Sequence, residues 1–133
     1  MKQTYVGGCH CGEVRYEADI DLAQGTVKCN CSVCSKSRAW LAAVDSDSFR
    51  LLSGQDALNE YQFGGRNIRH LFCKHCGIKS FARGRGPENR EFVAVMVSCL
   101  ENASDAELAA LSVSYVNGRN DDFGSAPAET RYL

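Results

Sequence analysis

Three groups of closely spaced cysteines constrain this chain more than any other feature. In chain order they are Cys9 and Cys11, then Cys29, Cys31 and Cys34, then Cys73 and Cys76. Thiolates one or two residues apart can face a single cation, and Cys-x-x-Cys followed by glycine is the spacing of a zinc knuckle. Disulfides are the alternative, but the C-x-C and C-x2-C spacings favour metal ligation.

The first and last groups together supply four thiolates. Four sulfurs saturate a tetrahedral zinc ion, so the sequence predicts a closed, structural zinc site on Cys9, Cys11, Cys73 and Cys76. Such a site clamps about 60 intervening residues to the N-terminal region. Its metal is expected to contribute on the order of 10 kcal/mol to folding.

The middle group differs because Cys29, Cys31 and Cys34 offer three thiolates and no obvious fourth ligand. Catalytic zinc normally keeps one coordination position open. Water, a substrate thiol or carbonyl oxygen, or Cys99 could fill it. A redox-active or free thiol set is the other interpretation of this group, and a buried core position is the preferred explanation of Cys99.

An open zinc position can hold a thiol as thiolate or polarise a carbonyl group. Sulfur ligands make the cation electron-rich, which favours activation of a soft thiol over generation of hydroxide. The reaction that fits best is addition of a thiol to a small aldehyde, or its reversal, a carbon–sulfur lyase reaction. The chain contains no G-x-S-x-G, P-loop or dinucleotide-binding glycine motif.

Composition narrows the class of protein. The chain has 133 residues and a net charge of −1, so we expect a single domain over 1–133 and no nucleic-acid or membrane-surface partner. No apolar run approaches the roughly 20 residues that cross a bilayer, and residues 1–5 lack the character of a signal peptide. We therefore expect a cytoplasmic protein with reduced thiols.

The hydrophobic pattern predicts a mainly β fold of short strands. Residues 13–18 alternate polar and apolar side chains, and 92–97 are apolar on both faces, as in a central strand. Residues 79–83 are expected to pair with the strand that precedes the last cysteine pair. One helix is predicted after Ser104, where Ser-x-x-Glu forms a capping box.

Several other residues are candidates for weaker roles. His10 and His75 lie between ligand cysteines, where side chains usually point away from the metal. His70 could carry protons, and Arg66 and Arg69 could bind a substrate carboxylate. The cations expected to offset part of the thiolate charge are Lys28, Lys36, Arg38 and Lys74.

The segments 7–16, 29–34 and 72–77 resemble, in order and spacing, the motifs of the glutathione-dependent formaldehyde-activating (Gfa) family, which includes centromere protein V. The resemblance implies a zinc-bearing β-tent fold and condensation of formaldehyde with glutathione to S-hydroxymethylglutathione. It also implies structural zinc on Cys9, Cys11, Cys73 and Cys76, and catalytic zinc on Cys29, Cys31 and Cys34. The stretch after Asn117 follows the family pattern poorly, and no residue matches a glutathione-binding position.

Two further functions stay open at this point. One is a non-enzymatic binding module in which both zinc ions are structural and a partner protein docks on the β face. The other is a thiol redox protein, since methionine sulfoxide reductases share the β-tent fold. The thiol and aldehyde partners of the lyase hypothesis are small molecules whose identity the sequence does not give.

Overall fold

Short β-strands make up most of the ordered structure in the computed structural model, which describes residues 1–133. The strands are β1 (Gln3–Gly8), β2 (Arg15–Ile20), β3 (Thr26–Cys29), β4 (Leu41–Asp45), β5 (Phe49–Ser53), β6 (Leu58–Tyr61), β7 (Ile68–Cys73), β8 (Phe81–Arg85), β9 (Glu91–Met96) and β10 (Val113–Val116). Only two short α-helices interrupt them, α1 (Ser32–Ser37) and α2 (Asp105–Ala109). The prediction of a mainly β fold with little helix is confirmed.

The strands form two sheets. One has three strands in the order β1-β2-β5, and the other has seven in the order β10-β3-β4-β9-β8-β7-β6. All neighbouring strands are antiparallel except β3 and β10, which are parallel. A parallel pair needs a long crossover connection, and the chain between these two strands, which contains most of the large sheet, supplies it.

Strand β9 lies between β4 and β8, as expected of a central strand. Val93 and Val95 are fully buried in the main core, whereas Phe92 and Ala94 line a cavity on the opposite face. Successive side chains of a strand point to opposite faces, so this strand packs into the main core on one face and lines the cavity on the other. That arrangement explains why its sequence is apolar at every position from Phe92 to Met96.

Aromatic side chains join the two sheets. Tyr16 and Phe49 come from the small sheet and Phe81 from the large one, with ring centroids 4.7–5.7 Å apart. The Tyr16 hydroxyl is buried and donates a hydrogen bond to the carbonyl oxygen of Ser80 at 3.1 Å. This contact ties β2 to the chain segment that follows the last cysteine pair.

Ser104 is the N-cap of the predicted helix, but only one of the two hydrogen bonds of a capping box is formed. Its hydroxyl oxygen accepts a hydrogen bond from the Glu107 backbone N–H at 3.1 Å, and α2 begins at the next residue. The Tyr5 hydroxyl donates to a Glu107 carboxylate oxygen at 2.6 Å, which fastens the helix to β1.

Neither helix has the length or the apolar composition that crossing a lipid bilayer requires.

Candidate functional site

The four cysteines expected to share one ion meet between two turns, although 62 residues separate Cys11 from Cys73. Their sulfur atoms all lie within 4.8 Å of one another. Cys11 Sγ is 3.6 Å from both Cys9 Sγ and Cys73 Sγ. Tetrahedral zinc with Zn–S bonds of about 2.3 Å needs sulfurs about 3.8 Å apart, so this donor set fits zinc.

The connection between β7 and β8 is shaped to present two of these sulfurs. Gly77 adopts φ +79°, a conformation that few L-residues accept, and its N–H donates to the Cys73 carbonyl oxygen at 2.7 Å. The His75 backbone N–H donates to Cys73 Sγ at 3.4 Å. A hydrogen bond from the Ile78 backbone N–H lowers the pKa of Cys76 to about 6. The turn therefore stabilises thiolates, the form that binds metal.

The three middle cysteines also converge, with their sulfurs within 4.8 Å of one another. Cys29 ends β3 and Cys34 lies in the first turn of α1, and both are buried. Cys31 lies before α1, where its sulfur accepts the Cys34 N–H at 3.5 Å. No histidine, aspartate, glutamate or fourth cysteine joins the group. The donor set could hold a metal ion and is compatible with zinc that has one position open.

Hydrogen bonding within this group makes Cys31 the first of the three thiols to lose its proton. The bond from the Cys34 thiol lowers the pKa of Cys31 to about 5, with help from backbone N–H groups at the start of α1. The same bond, together with burial, raises the pKa of Cys34. Burial also raises the pKa of Cys29. A metal ion would be needed to hold all three as thiolates, because its positive charge replaces the shared protons.

A cavity of about 600 Å³ lies beside the three-cysteine group. Cys29, Cys31 and Cys34 all line it, together with residues of the large sheet and of the stretch after β10. Twelve of its 22 lining residues are hydrophobic. Its size and composition are those of a small-molecule site rather than of a packing defect.

A lysine and a histidine face each other on the wall of this cavity. Lys79 Nζ is 3.1 Å from His70 Nδ1, and both residues line the cavity. Burial lowers the pKa of Lys79, whereas the thiolates of Cys34 and Cys31 act in the opposite direction. Lys79 makes no ion pair with a carboxylate. Sequence reasoning missed Lys79, because nothing at its position distinguishes it from a surface lysine.

The buried Asn30, between two of the cysteines, fastens the stretch after β10 to this site. Its side-chain amide donates to Asn117 Oδ1 at 2.9 Å, and its Oδ1 accepts the Arg119 N–H at 3.0 Å. Gly118 consequently lies against the cysteines, since a Cβ built there would be 2.4 Å from Cys29 Sγ. The C-terminal stretch is thus a wall of the cavity, a role that its irregular sequence did not indicate.

The remaining cysteine and the two knuckle histidines lie outside both sulfur groups. Cys99 is half-buried and packs against a small apolar cluster that contains Cys29, Cys34, Ala39 and Met96, without joining either sulfur group. His10 and His75 are exposed, and neither ring belongs to a group that could hold an ion. The expectation that these side chains point away from the metal agrees with this arrangement.

The basic residues have varied surroundings. Arg69 pairs with Glu60 at 2.7 Å, while Arg66 lines the cavity and is exposed. Lys28 lies over the Trp40 ring at 5.6 Å from its centroid. The hydrogen bond with Cys31 and burial raise the pKa of Cys34, and the cation that opposes this rise is Lys79. Lys79 is not one of the four cations expected from the sequence.

Comparison with known proteins agrees with this geometry. The sequence model of the family described as "Glutathione-dependent formaldehyde-activating enzyme" matches residues 4–116. The crystal structure of a Rhodobacter sphaeroides protein is similar, with a TM-score of 0.69, 31% identity, and coverage of 82% of this chain and 99% of that one. The family match extends over all three cysteine groups and well over half of the chain. This chain belongs to the glutathione-dependent formaldehyde-activating enzyme family.

Proposed function

We propose that this protein catalyses the reversible addition of a small thiol to a small aldehyde at Cys29, Cys31 and Cys34. The observation that carries the proposal is the contrast between the two sulfur groups. One has four donors, and the other has three donors that open onto a cavity of ligand size. Membership of a glutathione-dependent formaldehyde-activating family supports this reaction and makes glutathione and formaldehyde the first pair to test.

In this proposal Cys9, Cys11, Cys73 and Cys76 hold a structural zinc ion, and Cys29, Cys31 and Cys34 hold a second one. Zinc in the three-cysteine site supplies a Lewis-acidic position that can keep a thiol deprotonated at neutral pH. The three cysteines fix that position at the cavity wall, and their burial restricts competing water. Asn30 and Gly118 keep the adjoining backbone in place.

Addition forms a bond between the thiol sulfur and the carbonyl carbon. The sulfur loses its proton, and the carbonyl oxygen gains one to become a hydroxyl group. We assign Lys79 as the hydrogen-bond donor to that oxygen, because its ammonium group lines the cavity and has no carboxylate partner. His70 Nδ1, 3.1 Å away, orients the ammonium group. Such a donor stabilises the negative charge that develops on oxygen during addition.

The test combines metal analysis with a rate measurement. Exchange between glutathione, ¹³C-formaldehyde and their adduct is followed by NMR, with the uncatalysed rate subtracted. We expect two zinc ions per chain in the wild type and acceleration above the uncatalysed rate. Cys31→Ser is expected to lose one zinc ion and the acceleration while it keeps a cooperative thermal transition.

Cys99→Ser is the matched control, since Cys99 is a neighbouring thiol outside both groups. It is expected to retain both zinc ions and its activity. Full activity in Cys31→Ser, or a wild type with two zinc ions that accelerates no thiol–aldehyde exchange, contradicts the proposal.

A further inference from the structure

We infer that the carbonyl substrate of the three-cysteine site carries an apolar group, and that Phe63 and Phe123 hold this group. The inference rests on the proposed function and extends it from a reaction type to a substrate class. It concerns the part of the aldehyde that does not react. The expected substrates are aromatic or branched alkyl aldehydes rather than formaldehyde alone.

The cavity is larger and more apolar than formaldehyde requires. Its volume is about 600 Å³, within the range of roughly 300–1,000 Å³ typical of sites for larger organic ligands. Three of its four charged residues, Arg66, Arg119 and Asp121, are exposed and stay hydrated, and the fourth, Lys79, is the half-buried donor assigned to the reacting oxygen. Formaldehyde has two heavy atoms and would leave most of the apolar lining in contact with water. An apolar substituent would cover that lining, which is favourable in proportion to the area removed from water.

Two aromatic side chains form the exposed part of this lining. Phe63 is 41% exposed and stacks on the His70 ring, with centroids 5.5 Å apart and planes 18° apart. Phe123 is 64% exposed. Exposed aromatic side chains beside a ligand-sized cavity provide area that a bound group can bury without first displacing protein contacts. Their rings also favour stacking with an aromatic substituent.

Phe123 belongs to the segment that Asn30 fastens over the cysteines. The hydrogen bonds of Asn30 hold Asn117 and Arg119, and a Cβ at Gly118 would be 3.1 Å from the Phe123 ring. The wall that carries Phe123 is therefore positioned by a residue of the cysteine motif itself. The family match ends at residue 116, so this wall lies outside the matched region and can differ between family members.

The kinetic test compares formaldehyde with phenylacetaldehyde, using the same thiol and the zinc-loaded protein. For each aldehyde, kcat/KM is measured above the uncatalysed rate in the wild type and in Phe123→Ser. We expect the wild type to prefer phenylacetaldehyde and the substitution to reduce that preference by about tenfold, as the loss of an apolar contact does in substrate pockets. Tyr132→Ser removes an exposed aromatic ring that does not line the cavity, so it should leave the preference unchanged.

A binding measurement separates this inference from the proposed function. Binding of 2-phenylethanol, an unreactive analogue, is followed by NMR in the wild type, Phe123→Ser and Phe63→Ser. Binding that weakens in both variants but not in Tyr132→Ser supports the apolar site even when no aldehyde is turned over. Turnover of formaldehyde without preference for phenylacetaldehyde, or no binding of 2-phenylethanol, overturns the inference while leaving the thiol–aldehyde reaction intact.

Discussion

Replacing Gly118 by alanine tests how closely the C-terminal wall approaches the three-cysteine group. A Cβ there would be 2.4 Å from Cys29 Sγ and 3.2 Å from Cys31 Cβ, whereas ordinary van der Waals contacts begin near 3.4 Å. The wall or the sulfur must therefore move by about 1 Å. Overpacking of this kind costs about 1–3 kcal/mol, which for a chain of this length corresponds to a fall in Tm of roughly 4–10 °C.

The same displacement should weaken metal binding at this group. Zinc–sulfur distances tolerate about 0.2 Å of deviation, so a shift of 1 Å in the Cys29 sulfur is too large for an intact site. We expect Gly118→Ala to lower the affinity for one of the two zinc ions by at least about tenfold, an effect typical of losing support around a ligand. Thermal denaturation and competition with a chromogenic chelator measure the two effects.

Gly124→Ala is the matched control, because it lies on the same segment and its nearest neighbour, Asp122 Oδ1, is 3.9 Å from the added Cβ. It should retain the wild-type Tm and both zinc affinities. If Gly118→Ala behaves like this control, the wall does not press on Cys29 and the reasoning about the cavity is refuted.

Three further predictions concern the fold and the proposed reaction. Cys76→Ala should abolish cooperative unfolding, because binding of structural zinc contributes on the order of 10 kcal/mol, comparable to the whole stability of a domain; an unchanged Tm would exclude a structural role. Tyr5→Phe should lower the free energy of unfolding in urea at pH 7 by about 1 kcal/mol through loss of its bond to Glu107. Burial and Glu107 raise the pKa of Tyr5 from 10.0 to about 12. The stabilisation is therefore complete below pH 10 and is lost as the pH rises towards 12. A difference between the two proteins that persists beyond pH 12 would contradict the assignment. Lys79→Met should reduce kcat of thiol addition by about 100-fold with both zinc ions retained, and Lys79→Arg should restore part of it; equal rates in all three proteins would remove Lys79 from the reaction.

The grouping of the three middle sulfurs was predictable because short spacing decides it, whereas the meeting of the two outer cysteine pairs was predicted from the four ligands of tetrahedral zinc. Within Cys29, Cys31 and Cys34 the chain has little freedom, so three sulfurs must lie near one another in almost any fold. The helix start at Ser104 was predictable for the same local reason. The run of residues 92–97, apolar on both faces, likewise indicated a central strand before its neighbours were known.

The cavity was not predictable, because its walls come from elements far apart in the chain. Phe63 follows β6, Lys79 precedes β8, and Phe123 lies beyond β10. None of these residues carries a local motif. Lys79 was missed because charge compensation depends on distance in space, which the sequence does not contain.

The sequence by itself predicted how the seven sulfurs divide into two groups, since that division depends on local spacing and on the four ligands of tetrahedral zinc, and the sulfurs of each group lie within 4.8 Å of one another in the structure. Only the tertiary structure decided what surrounds the three-cysteine group. Sheet pairing brings Lys79 and His70 within 3.1 Å, and the hydrogen bonds of Asn30 bring Gly118 against Cys29. The first contact lies within one hairpin and the second joins residues almost 90 positions apart, so the walls proposed to contact a substrate are placed by parts of the chain outside the cysteine motifs.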